Sequence, residues 1–166
     1  MKTKTLVIGA LLAVIAAFFQ VMPVFFSEAF IFFTIFSAVP IYIVSRISPK
    51  AGVLSYFVAG ILVMLISTHE ALFFLFTNGV VGASLGVCRY YTNRKTIIFS
   101  ISSLALTITL SIINYGIGIP VFGTKIAGAM ITQLVILYLF SLLYNIIYYY
   151  FSDYIFKILK KFNAFI

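Results

Sequence analysis

Few side chains in this sequence can do chemistry, and their spacing limits what that chemistry is. Gly82-Ala83-Ser84-Leu85-Gly86 has the G-x-S-x-G pattern of a serine-hydrolase elbow. That motif needs a strand-to-helix turn and a general base within reach. Here it lies inside an apolar run, and the one histidine, His69, is 15 residues away, about 22 Å along a helix at about 1.5 Å per residue. The acids Glu28, Glu70 and Asp153 are widely separated, and Cys88 has no second cysteine. Neither a disulfide nor a metal-ligand spacing follows. The chain reads as no enzyme, with no cofactor and no metal.

The more informative polar groups are amides and hydroxyls set among apolar residues. Gln20, Asn78 and Gln133 fall in one half of their runs, and Glu28, His69, Glu70, Asn114 and Lys125 fall at the same end. Polar groups are costly in lipid and tend to face an interior cavity. Phe73, Phe74 and Phe76 accompany Asn78, and apolar walls with a few convergent polar groups are the usual form of a small-molecule site. The expected binding set is therefore Gln20, Glu70, Asn78, Asn114 and Gln133, for a small polar or aromatic solute. Glu70 favours a cationic group and Lys125 an anionic one; the sequence does not choose. The competing reading is that the residues at the run ends are simply solvated. A stripe of Ser100, Ser103, Thr107, Ser111 and Asn114, at intervals of 3, 4, 4 and 3, either touches the solute or bonds its own backbone.

Small residues form two further faces. Gly9, Ala13 and Ala17 are each four apart, and Gly79, Gly82, Ala83 and Gly86 cluster in the middle of the chain. Such faces let helices approach closely. They serve packing within one bundle or docking onto another subunit, and Gly9, Ala13 and Ala17 are the candidate partner-binding face. The stretch Gly116 to Lys125 is a lid or a plain flexible connection.

The elements that carry these residues follow from composition. Of 166 residues, 64% are hydrophobic and 8% charged, and mean hydropathy is +1.22. A soluble domain is about 25% charged. The solvent for most of this chain is lipid, with the length for six spans of about 20 residues each. Charges and turn residues cut the sequence into apolar runs at Thr5–Phe26, Ala29–Ser45, Ala51–Ser67, Ala71–Cys88, Thr96–Tyr115 and Ile126–Tyr148. None alternates as a membrane strand would. The expected fold is an all-α integral membrane protein, a six-helix bundle over residues 1–150, followed by a basic tail at 151–166. In that tail Ile155, Ile158, Leu159 and Phe162 fall at helical spacing opposite Lys157, Lys160 and Lys161. It reads as an amphipathic helix on the inner leaflet, or as a basic tail that fixes orientation.

Placing the N-terminus in the cytoplasm puts ten basic residues inside (Lys2, Lys4, Arg46, Lys50, Arg89, Arg94, Lys95, Lys157, Lys160 and Lys161) and only Lys125 outside. That asymmetry follows the positive-inside rule, with both termini cytoplasmic in a multi-pass protein of the cell membrane. It makes the Gln20–Glu70–Asn78 end external. The opening Met1-Lys2-Thr3-Lys4 resembles a signal peptide, but the apolar stretch after it exceeds the usual h-region of about 7–15 residues and reads as an uncleaved span. The net charge of +8 is scattered between spans, which excludes a nucleic-acid partner.

Six short spans, cytoplasmic termini and a small-residue first helix resemble an S-component, the substrate-binding subunit of energy-coupling-factor transporters. Ile8-Gly9-Ala10-Leu11-Leu12-Ala13-Val14-Ile15-Ala16-Ala17 is similar to the alanine-motif first helix of that family, with Ala13 and Ala17 at the A-x-x-x-A spacing. Pro40 to Lys95 resembles S-component-like membrane proteins of unassigned ligand. The resemblance implies an importer for a vitamin-like solute, docking by the alanine face onto a transmembrane coupling subunit driven by ATPases. It also implies a substrate in the outer half, often closed by the loop between the first two helices, which is very short in this chain. The alternative class is a non-transport scaffold, similar to the D subunit of the rod-shape complex.

Overall fold

The computed structural model describes residues 3–122 and 130–161, and among these the chain is a series of helices joined by short turns, with no strand. Helix α1 is Thr3–Phe26. A 3₁₀ segment, Glu28–Ser37, runs directly into α2, Ala38–Ile47, and α3 is Pro49–Met64. Next come α4, Thr68–Phe73, a π-helical segment Phe74–Asn78, and α5, Gly79–Tyr91, as one continuous rod. Helix α6, Lys95–Ser111, ends in a second π segment, Ile112–Ile117. Helix α7 is Met130–Lys161.

Serines punctuate the bundle. The Ser48 hydroxyl accepts the Ala51 N–H and Pro49 opens α3; the Ser67 hydroxyl accepts the Glu70 N–H at 3.3 Å and opens α4. An N-cap hydroxyl satisfies a backbone donor that lipid cannot, and proline at the first position has no donor to satisfy. Among the described residues, five helical rods are long and apolar enough to cross a membrane: Thr3–Phe26, Glu28–Ile47, Thr68–Tyr91, Lys95–Ile117 and Met130–Lys161. This is the signature of a multi-pass membrane protein. The apolar helix Pro49–Met64 is shorter, at 16 residues.

Helix α2 lies hard against α5, and glycines set that distance. A Cβ on Gly86 would stand 2.5 Å from Ser45 Cβ and 2.6 Å from the Tyr42 carbonyl oxygen, and one on Gly82 would run into the Ala38 carbonyl. Backbones therefore touch directly, and Tyr42, Ile41 and Leu85 are fully buried around the crossing.

The small face of α1 is used within the same bundle. Ala13 and Ala16 pack with Ile41, Ala59 and Phe74; Ala17 packs with Val21, Val63 and Ala71. Gly9 meets α3, where the Ser55 hydroxyl donates to its carbonyl at 3.0 Å. The surface of α1 presents Leu11, Val14, Ile15 and Phe18 instead.

The chain departs from the expected boundaries at its end. There is no break near residue 150: α7 continues through Lys161, and Ser152, Asp153 and Phe156 are buried. Asp153 pairs with Arg46 at the end of α2 and with Lys157 at 2.9 Å, and the Arg46 guanidinium sits 4.0 Å above the Phe156 ring. Ile155 and Leu159 pack on the core. Phe156, Ile155 and Leu159 thus cover the bundle, while Ile158 and the lysines at 157, 160 and 161 are exposed. Lys2, Lys125, the expected start of the sixth run at Ile126, the end of the expected lid from Gly123 to Lys125, and Phe162 lie outside the described residues.

Candidate functional site

The end of the bundle opposite Arg46 and Asp153 contains a cavity of about 380 Å³. Its apolar walls include Phe73, Leu106, Leu110, Ile113 and Phe140, and its polar groups are Gln20, Thr34, His69, Glu70, Thr77, Asn78 and Tyr144. The volume falls in the range of small-molecule pockets, about 300–1,000 Å³.

Gln20 is the hub of the polar wall. It is almost wholly buried, donates from Nε2 to Glu70 Oε2 at 2.8 Å, and accepts at Oε1 from Asn78 Nδ2 at 3.3 Å. The second Asn78 amide proton goes to the Thr34 carbonyl at 2.9 Å. The Tyr144 hydroxyl donates to Asn78 Oδ1 at 3.0 Å. The Ser37 hydroxyl lies 2.9 Å from Gln20 Oε1 and 2.6 Å from the Thr34 carbonyl, and gives its single proton to one of them. The chain of bonds staples α1, the 3₁₀ segment, α4, the first π segment and α7 together.

Comparison with known families, with curated proteins and with solved structures finds no match.

Among the described residues, the 3₁₀ segment and both π segments meet this cavity. Ile31, Thr34 and Ile35 come from the 3₁₀ segment, Thr77 and Asn78 from the first π segment, and Ile113 from the second. Irregular backbone at membrane depth is tolerated where it is buried in protein or lines a cavity, and π-bulges are frequent at functional sites. The 3₁₀ segment is joined to α1 through Ser27, whose φ of 117° is rarely occupied by a residue with a side chain.

Of the five residues expected to bind solute, Gln20, Glu70 and Asn78 are brought together. Asn114 and Gln133 do not line the cavity. The Asn114 side chain accepts the Val121 N–H at 3.4 Å and so holds a loop residue that does line it. Gln133 accepts from the Tyr115 hydroxyl. Two hydroxyls of the stripe are turned onto their own helix: Thr107 donates to the Ser103 carbonyl and Ser111 to the Thr107 carbonyl, each at 2.7 Å, whereas the Ser103 hydroxyl is buried with no hydrogen-bond partner among the described residues. The α6 residues that face the cavity are Leu106 and Leu110. Ser84 donates to the Val81 carbonyl, a helix-internal bond unrelated to His69. The described residues contain no cluster of three or more His, Cys, Asp or Glu suited to a metal ion.

Tyr144, Ser37 and Thr34 are the parts that sequence reasoning missed. Tyr144 had a signal: a phenol deep in an apolar run needs a hydrogen-bond partner. The Thr34 carbonyl had none, because its availability depends on the local 3₁₀ winding.

Proposed function

We propose that this protein binds a small solute in the cavity at the Gln20–Glu70–Asn78 end, as the substrate-binding subunit of an energy-coupling-factor-type importer in the cell membrane. The observation that carries the reading is an apolar cavity with polar side chains already fixed by one another. Such preorganisation lowers the cost of ordering groups when a ligand arrives. In this reading the chain crosses the membrane six times, with Glu28–Ile47 as the second pass and Pro49–Met64 as the third, and both termini are cytoplasmic. The cavity then opens in the outer half, where an imported solute is captured.

A coupling subunit with its ATPases is the partner that the resemblance implies. Because Gly9, Ala13 and Ala17 are occupied by packing within the chain, the partner docks on another surface of the bundle, such as the exposed apolar side of α1.

Native mass spectrometry of the intact protein in nanodiscs, with thermal stabilisation across a vitamin and metabolite panel, tests the binding reading. Retention of a solute supports it; no retention and no stabilisation refutes it. Affinity purification from membranes separates the classes: a coupling protein with ATPases supports the importer, whereas cell-wall synthases support a scaffold. Cysteine labelling from the exterior at positions 28 and 70, but not at 48, 93 or 160, is expected for the six-pass orientation. Labelling at position 93 from the exterior would overturn it.

A further inference from the structure

We infer that Glu70 selects the solute: the cavity takes an organic molecule that presents a positively charged nitrogen to this carboxylate and an apolar or aromatic body to the walls. The inference rests on the binding reading above and adds the chemical class of the ligand.

Hydrogen-bond supply gives the first argument. Both Asn78 amide protons are committed, to Gln20 and to the Thr34 carbonyl. Tyr144 donates to Asn78, Thr77 donates to the Phe73 carbonyl, and one Gln20 amide proton goes to Glu70. The wall has few donors left to offer. An acceptor remains: Glu70 Oε1 accepts no hydrogen bond among the described residues. A ligand that donates is matched to this wall, and one that only accepts is not.

Charge gives the second. Glu70 is the only acid in the cavity lining, which contains no lysine or arginine among its described residues. The Glu70 side chain is 16% exposed, and its nearest cationic candidate among the described residues, His69 Nδ1, is 4.0 Å away on a side chain that is 69% exposed. His69 is instead turned edge-on to Phe73, with centroids 4.7 Å apart. At 4.0 Å the pair is beyond hydrogen-bonding distance. A sequestered carboxylate held by one neutral amide is under-compensated, and an ammonium group supplies both the missing charge and the missing donor. An anionic solute would meet a like charge.

The walls give the third. Phe140 and Tyr144 stack with centroids 5.8 Å apart, and together with Phe73 they contribute three aromatic rings to the cavity lining. Aromatic faces attract cations and flat apolar bodies alike. A bare inorganic cation would leave those surfaces unused.

The experiment uses full-length protein in nanodiscs and three probes of one shape, phenethylamine, 2-phenylethanol and phenylacetate, with sodium chloride as the inorganic control. Thermal stabilisation and calorimetric affinity are read for wild type, Glu70→Gln, Glu70→Asp and His69→Ala. Phenethylamine is expected to bind at least tenfold more tightly than the other two. That preference is expected to vanish in Glu70→Gln and to persist in Glu70→Asp and His69→Ala. Glu70→Gln retains an oxygen for Gln20, and Glu70→Asp keeps the charge if the glutamine variant fails to fold. Equal binding of the probes, preference for phenylacetate, stabilisation by sodium alone, or a preference surviving in Glu70→Gln overturns the inference while leaving a binding protein. Failure of all three probes also overturns it. The metabolite panel then decides the wider reading: a retained solute without a cationic nitrogen preserves it, and no solute at all removes both.

Discussion

Replacing Asn78 by leucine removes the centre of the polar wall while keeping the number of side-chain heavy atoms. Asn78 donates to Gln20 Oε1 and to the Thr34 carbonyl and accepts from Tyr144. Interhelical hydrogen bonds in membrane proteins average about 0.6 kcal/mol, with a maximum near 1.7, so three of them are worth about 2 kcal/mol. Leucine recovers little, because burial against lipid-like surroundings supplies no hydrophobic drive. The unfolding equilibrium should therefore shift by about thirtyfold, since about 1.4 kcal/mol corresponds to a factor of ten. Reversible unfolding in mixed micelles measures the change, and Tyr144→Phe completes a double-mutant cycle. Coupling of about 0.6–1.7 kcal/mol between the two sites is expected. If Asn78→Leu is as stable as wild type or more so, or if the two substitutions are additive, the network does not hold this end together and the reasoning fails.

Ala13→Leu should destabilise the isolated protein by about 1–3 kcal/mol, because Ala13 is fully buried between helices of its own chain; unchanged unfolding of the purified protein, with loss only of partner recovery, would return that face to a partner. Gly86→Ala should cost about 1–3 kcal/mol, since its Cβ would crowd Ser45 and the Tyr42 carbonyl, whereas Gly116→Ala, whose nearest neighbour would be 3.7 Å away, should be close to neutral; equal effects in thermal unfolding would refute the close α2–α5 contact. Asp153 is buried and pairs with Arg46 and, at 2.9 Å, with Lys157. Asp153→Asn should therefore cost about 2 kcal/mol near neutral pH; a variant as stable as wild type would contradict the ion pair.

Much of the fold was written in hydropathy and punctuation. The apolar runs and the serine caps at Ser48 and Ser67 place most helix ends within a few residues of where they fall. Depth along the membrane axis was also readable, because residue count alone puts Gln20, Glu70 and Asn78 at one end. Rotation about each helix axis was harder to read, and it separates Asn114 and Gln133 from the cavity. For α1 the information was present but unused. Gln20 follows Ala13 by seven residues, about two helical turns, so an inward Gln20 turns Ala13 inward as well. One face cannot hold the polar hub and also greet a partner. The merging of tail and span into α7 was hidden because Asp153 finds its cations on two sides: Lys157 one turn away and Arg46 at the distant end of α2. The π and 3₁₀ segments leave no compositional mark, since Phe74–Asn78 and Glu28–Ser37 contain the same residue types as the α-helices beside them.

The winding of Glu28–Ser37 sets the height of the cavity wall. A 3₁₀ helix rises about 2.0 Å per residue against about 1.5 Å for an α-helix, so these ten residues reach about 5 Å further than an α-helix of the same sequence, close to one α pitch. Ile31, Thr34 and Ile35 stand on that stretched rung, and the Thr34 carbonyl grips Asn78 from it. Rewinding the segment to α would draw the wall down relative to α1 and α4 without adding or removing an atom. The dimension of the site along the membrane normal is thus governed by pitch, a quantity that neither length nor hydropathy encodes.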